Sequence, residues 1–383
     1  MKVCVVGWYG TETIGDRAIL AGIFDFLSEV YGDFEVKLGS LFPFFSRRTF
    51  SEDAEFYRSF LKSELKGQIF ESKKRSQLDD AIKASDLVVI GGGPLMHIND
   101  LFMLEYAMKR AKKLGKATLV FGCGVGPLFK KRHKPALWGI MKYADQIILR
   151  DQRSFNYMQN LSASKTKALE TKLKVAVDPS IKALLRFKKS GFFKEKENPY
   201  VAINLREFPS EYAKDDIGKK VNSALSNWLN GLSEQLAGKE IRLIPMHYFH
   251  IGNDDRAFMN SLRFAQGIES VKIQNEPLNL FETMLAFKEA DICFGMRFHS
   301  VIFQTILNGN NYVLDYTEPG IGKISGFIDS IDKKGLYNER CINLQNLGAE
   351  GISQHEMKDQ AFQVNEEELK KSLSIFEESL QKI

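Results

Sequence analysis

The sequence predicts an α/β protein of two doubly wound, Rossmann-like domains facing a central cleft, and three observations carry that prediction. At 383 residues the chain exceeds what a single hydrophobic core usually serves. Short apolar runs alternate with segments of helical periodicity, as in a parallel sheet covered by helices on both faces. The alternation breaks once, at "RFKKSGFFKEKENP", a charged stretch with Gly and Pro and no periodicity. The expected domains are residues 1–185 and 200–363, with a linker over 186–199 and a terminal helix over 364–383.

In the first domain the strands are "KVCVVG" from Lys2, "EVKLGSL" from Glu35, "DLVVIG" from Asp86, "ATLVFG" from Ala117, "QIILR" from Gln146 and "LKVAV" from Leu173. Helical patterns run over Asp16–Tyr31, Gln77–Ser85, Asp100–Leu114, Lys134–Tyr143 and Arg153–Leu161. The stretch Phe44–Lys74 has no clean period and is expected to be helical in part. The second domain repeats the logic with "YVAINL" from Tyr200, "EIRLIPM" from Glu240, "VKI" from Val271, "DICFG" from Asp291 and "YVLDY" from Tyr312. Its helices are expected at Ile217–Leu236, Asp255–Gln266, Leu280–Ala290 and Ser300–Asn308. In the tail, Leu369, Leu373, Ile375, Phe376 and Leu380 fall on one stripe of a helix over Glu366–Lys382.

Composition narrows the function classes. Hydrophobic residues at 44% and charged residues at 26% are those of an ordinary soluble globular protein. A net charge of +5 permits anionic substrates but lacks the concentrated basic face of a nucleic-acid binder. No run reaches the roughly 18 apolar residues of a membrane span, and "MKVCVVGWYG" is too short for a secretory signal. Cys4, Cys123, Cys293 and Cys341 are scattered without metal-type spacing, which suits reduced thiols in the cytoplasm. Membrane contact is expected only as peripheral, at the inner face. The basic run "FKKRHK" and the lysines Lys188, Lys189 and Lys194 could meet an anionic surface, although a solvated charged face is the commoner meaning of such runs.

In open α/β sheets ligands bind beyond the carboxyl ends of the strands, so residues just after a strand are the candidates. "GWYGTETIGD" after the first strand brings glycines and a helix start, a setting that favours anions, with a capped turn as the plain alternative. Its spacing is not that of a dinucleotide fingerprint. Gly91, Gly92 and Gly93 follow the third strand, and Gly122, Gly124 and Gly126 follow the fourth. Such glycines signal either close packing of backbones or a ligand, and together they suggest a glycine-lined cleft wall. In the second domain Arg206 follows "INL" and His247 follows "IPM". No third ligand is fixed near His247 and His250, so hydrogen bonding to a polar substrate is preferred over a metal site, and no metal is expected. "DICFGMRFHSVIFQ" places Arg297 and His299 two residues apart after a strand, on one side if the segment is extended. An arginine offers a fork for carboxylate or phosphate, and a histidine can exchange a proton near neutral pH.

The ordered set "IGD", "VVIGGGPL", "GCGVGPL", "ILRDQRS", "VAVDPS", "INLR" and "GMRFHSVIFQTILN", from about Lys2 to about Ile331, resembles the polysaccharide pyruvyl transferase family. The resemblance implies a two-domain fold like that of GT-B glycosyltransferases. It also implies transfer of the enolpyruvyl unit of phosphoenolpyruvate to a sugar of a cell-surface polysaccharide or its lipid-linked precursor, with a pyruvate ketal formed and phosphate released. His299 is then the acid–base residue, and Arg206, Arg297, Gly15 and Asp16 bind the donor. The glycines, His247, Tyr316 and Lys323 line the cleft. Phosphoenolpyruvate is a co-substrate, and no cofactor, metal or nucleic acid is implied. The Arg150–Asp151 and Asp178–Pro179 elements are expected to be structural. The chain departs from the family at Thr13, where Asn is common, at Arg17, where an acid is usual, and in the wider spacing of Tyr316 and Lys323. Two other readings stay open: a nucleotide-sugar glycosyltransferase, and a non-catalytic sugar-binding member of an assembly complex.

Overall fold

The protein is described here from a computed structural model covering residues 1–192, 200–210, 212, 216–249, 251–266, 271–320, 322–347, 352 and 360–383. The chain divides into two units, one of Met1–Arg186 with Glu366–Ile383 and one of Phe187–Asn365. In the first, the elements are β1 (Lys2–Val6), α1 (Ile14–Tyr31), β2 (Glu35–Ser40), α2 (Pro43–Glu52), α3 (Ala54–Phe60), β3 (Lys66–Glu71), α4 (Arg75–Lys83), β4 (Leu87–Gly91), β5 (Pro94–Leu95), α5 (Leu101–Lys113), β6 (Ala117–Val125), α6 (His133–Tyr143), β7 (Gln146–Leu149), α7 (Gln152–Leu161), α8 (Ala163–Lys167), β8 (Leu173–Val175) and α9 (Ser180–Lys189). The second carries β9 (Tyr200–Asn204), α10 (Ile217–Gln235), β10 (Glu240–Leu243), α11 (Asp255–Gln266), β11 (Val271–Ile273), α12 (Leu280–Lys288), β12 (Ile292–Gly295), α13 (Phe298–Leu307), β13 (Asn311–Asp315), α14 (Lys323–Ile331) and β14 (Cys341–Asn343). The tail α15 (Glu366–Gln381) belongs to the first unit.

Both sheets are parallel. The first runs β3-β2-β1-β4-β6-β7-β8 with β5 paired to β6, and the second runs β11-β10-β9-β12-β13-β14. Val3, Cys4, Val5 and Val6 on β1 and Leu87, Val88, Val89 and Ile90 on β4 are fully buried, because helices cover both faces and leave no polar alternation. In the first sheet the winding reverses between β1 and β4, the position at which open α/β sheets form a ligand crevice.

Two expectations change at the joins. The predicted linker begins inside α9, whose Ile181, Ala183, Leu184, Leu185 and Phe187 are buried and whose periodicity the flanking lysines obscured. Residues 193–199 of that linker lie outside the described residues. The ambiguous stretch resolves into α2, α3 and β3, the last an edge strand with its first three residues exposed, which is why it carries no apolar signature. The tail stripe packs through Leu369, Leu373, Phe376 and Leu380, with the Phe376 ring 5.0 Å from Phe26 and 4.5 Å from Phe121, while Ile375 is only half-buried.

Candidate functional site

In the second unit the carboxyl ends of β9, β10, β12 and β13 gather most of the chemistry-bearing residues. Asn204 ends β9, and its amide side chain accepts from the backbone N–H of Arg297 at 3.0 Å and donates to the Ile244 carbonyl at 2.9 Å. That bridge locks three strand ends together. Arg297 is the N-cap residue of α13 with extended backbone, and His299 is already in the first helical turn. The two side chains therefore do not share the face of an extended segment, as the sequence had suggested, because the helix starts two residues earlier than expected.

Arg297 is not an unengaged cation. Its Nε and Nη2 hold the Asp255 carboxylate at 2.8 and 2.6 Å, and Nη2 also reaches the Asn253 carbonyl at 3.3 Å. Asp255 is buried at the start of α11 and accepts the backbone N–H groups of Met246 and His247 at 3.1 Å each. The pair is a hydrogen-bonded, desolvated ion pair that ties two loops, and it leaves Nη1 as the remaining donor of the fork. Arg206 differs. It has no carboxylate within ion-pair distance among the described residues; its guanidinium lies 5.3 Å from the Tyr316 ring centroid and donates to the Glu207 carbonyl at 3.2 Å. Burial first, and then the charge of Arg297, depress its pKa. Arg206, Asn253, Asp254, Phe258 and Arg297 line a groove of about 460 Å³.

Tyr316 and Lys323 meet despite their spacing, because a Gly322 N–H to Glu318 carbonyl bond of 2.8 Å brings the chain back between them. Lys323 Nζ lies 5.6 Å from the Tyr316 ring and 5.8 Å from the Phe298 ring. Among the described residues it has no carboxylate within ion-pair distance. Burial works to raise the Tyr316 pKa, but Lys323, Arg206 and Arg297 together outweigh it and pull the phenol below its ordinary value. The ring of His299 sits edge-on to Phe298 at 5.1 Å. His299, Tyr316 and Lys323 do not line the groove.

The His247 ring is tied into its own loop. Its Nε2 donates to the Ile251 carbonyl at 2.5 Å within its own loop, and burial, then Arg297, push its pKa down to about 4. It is a neutral, structural imidazole. His250 lies outside the described residues.

In the first unit Gly15 is buried in the first turn of α1, and the Asp16 carboxylate accepts the hydroxyls of Thr13 and Thr11. The unusual Arg17 is held by Asp53 through two bonds of 2.7 and 2.5 Å, so a buried ion pair anchors α1 to the α2–α3 junction. Gly92 and Gly93 have φ of 61° and 71°, and a Cβ on them would stand 2.0 Å from Ile19 and 2.2 Å from Trp8. A Cβ on Gly122 would meet Pro179, on Gly124 Arg150, and on Gly126 Tyr157. Gly91 is closed off by the Tyr9 hydroxyl. All six are buried, and close packing within the unit accounts for each, in place of the open wall the sequence suggested. Arg150 and Asp178 form a buried pair at 3.2 Å, and Asp178 also caps Ser180 at 3.0 Å.

One residue here escaped the sequence altogether. Glu12 has φ of 63°, a left-handed conformation that a glutamate rarely takes. Its carboxyl is buried, Oε2 pairs with Arg48, and Oε1 has no hydrogen-bond partner among the described residues. Burial raises its pKa to about 7 against the opposing charges of Arg48 and Arg17. It borders a cavity of about 30 Å³ shared with Thr11, Asp16, Ser46 and Asp53. No sequence pattern announces a left-handed glutamate, whereas Asp255 could have been sought as the counter-charge a buried arginine requires.

A model of the polysaccharide pyruvyl transferase family matches residues 14–318. The chain belongs to that family. Within this family member, Arg206, Arg297, His299 and Tyr316 fall inside the matched span, and Lys323 lies beyond its end. A search of curated proteins finds no match. Solved structures with the same fold include a UDP-GlcNAc 2-epimerase from Methanocaldococcus jannaschii, 12% identical with a TM-score of 0.52, covering 84% of this chain and 90% of that one. Another is a Glycyrrhiza uralensis protein solved with glycyrrhetinic acid 3-O-monoglucuronide, 9% identical with a TM-score of 0.52 over 100% of this chain and 89% of that one. A glycosyltransferase from Rickettsia africae is 11% identical, with a TM-score of 0.50 over 100% and 93%. The pyruvyl transferase family member thus has the two-domain Rossmann-like fold of the GT-B type.

Proposed function

We propose that the protein transfers the pyruvyl group of phosphoenolpyruvate to a sugar of a cell-surface polysaccharide or its lipid-linked precursor, forming a pyruvate ketal and releasing phosphate. The observation that carries this reading is the pairing of Arg206 with Lys323. Neither has a carboxylate within ion-pair distance among the described residues, and both stand against one buried tyrosine whose phenol they acidify. Such a field suits a small donor bearing a carboxylate and a phosphate. Nη1 of Arg297 adds a donor at the groove.

Two sugar hydroxyls supply the protons of the reaction. One proton goes to the methylene carbon, which becomes a methyl group as the first hydroxyl oxygen bonds to C2. The second leaves with phosphate as the C2–O bond to phosphate breaks and the second oxygen closes the ketal. His299, on the first turn of α13 beside the Arg297 cap, is the group assigned to pass a proton, a role worth about 10²–10⁴-fold.

The test is incubation with phosphoenolpyruvate and candidate sugars, following phosphate release and ketal formation. Turnover with release of both products supports the reading. Release of a nucleoside diphosphate from a nucleotide sugar, with phosphoenolpyruvate untouched, overturns it in favour of glycosyl transfer. In an active preparation, His299→Ala should lower kcat by that factor and leave the KM for phosphoenolpyruvate nearly unchanged.

A further inference from the structure

In the first unit the described residues expose five large apolar side chains, Met1, Phe42, Phe44, Phe102 and Phe129, and all but Met1 stand just beyond strand ends of the parallel sheet. Phe129 and Phe44 are 66% and 69% exposed, far more than burial of a loop anchor requires. Parallel strands put these loops on one edge. The contacts between them are continuous: Lys73 from the β3–α4 loop lies 5.2 Å over the Phe42 ring and 3.5 Å from Asp100 before α5. Arg132 bridges onward, donating to Asn99 at 2.7 Å and lying 5.8 Å from the Phe102 ring, while Phe129 packs 4.5 Å from His97.

The strip is basic as well as aromatic. Lys130, Lys131 and Lys134 are exposed and form no ion pair among the described residues, and Arg47 and Arg75 are exposed on the same edge. The acids nearby, Asp100 and Glu71, are each already paired to a lysine, Lys73 and Lys74. We propose that this edge of the first unit is a docking surface for an anionic lipid bilayer, with Phe44 and Phe129 entering the headgroup region and the lysines meeting lipid charge. Exposed aromatics ringed by cations fit that partner because the apolar area and the charge act together there. A single-stranded nucleic acid would also stack its bases on such rings, so binding to nucleic acid without any binding to anionic vesicles would overturn the proposal. Because no described helix can cross a membrane, contact of this kind is interfacial. The inference stands whatever reaction the protein catalyses.

The test is flotation of the full chain with phosphatidylcholine vesicles and with vesicles also containing phosphatidylglycerol. Binding should require the anionic lipid and weaken as salt rises. A triple variant, Phe129→Ser with Lys130→Glu and Lys131→Glu, should bind at least about tenfold more weakly, since each lysine near a charged surface contributes severalfold. It should unfold like the parent, because all three side chains are exposed. Phe264→Ser, at a phenylalanine in the second unit more exposed than Phe129, should bind as the parent does. The proposal fails if the parent ignores anionic vesicles, binds neutral ones equally, or loses nothing in the triple variant. Concentration-dependent dimerisation without lipid, abolished by the same variant, would also overturn it and make the strip a self-association face.

Discussion

Arg206 and Arg297 look alike in sequence, each an arginine just beyond a strand, yet the structure gives them different burdens. Arg297→Ala would strand the buried Asp255 carboxylate, so a stability loss of about 3–5 kcal/mol is expected in denaturant unfolding. Arg206→Ala removes a cation held in no direct ion pair among the described residues, so unfolding should change little while the KM for phosphoenolpyruvate rises. Equal stability losses in the two variants would contradict this division. His247 gives a pH signature. Its folded pKa of about 4 lies below the ordinary histidine value, so the unfolded chain takes up the proton first as pH falls. The second unit should lose up to about 3 kcal/mol between pH 6.5 and 4, and His247→Asn should flatten that part of the curve. The sequence disclosed the arginines and the histidine but not their partners, because an ion pair between Asp255 and Arg297 joins residues far apart in the chain.

At the scale of elements, the strands were legible where both faces are buried and hidden where they are not. β1, β4, β6 and β12 announce themselves as unbroken apolar runs, whereas β3 at the edge and the two-residue β5 carry no such mark. α9 was lost because its lysines read as a charged linker although one face is fully apolar. The glycine runs were correctly seen as unusual, but sequence could not say whether a ligand or the protein's own side chains fill the space. Gly122→Ala decides that for one position. With φ of 64° and Pro179 2.2 Å from the added carbon, it should destabilise the first unit by about 1–3 kcal/mol. A raised KM at unchanged stability would instead mark the glycine as a ligand contact.

Across the whole molecule, α15 closes the first unit rather than the second. Tyr31 donates to the Leu380 carbonyl at 2.8 Å, Lys182 bonds to Glu377 at 3.1 Å, and Phe376 covers Phe26 and Phe121. Deleting residues 366–383 should therefore expose those two rings and lower the melting temperature of the first unit, with increased binding of an apolar dye; an unchanged first transition would show that α15 is dispensable. The same arrangement makes the second unit an insertion within the first. On the ribosome, residues 187–365 are released before the helix that completes the N-terminal unit, so the usual N-to-C order of domain maturation is reversed at its last step. A released chain ending at residue 365 should already protect the second sheet from protease while the first remains cleavable.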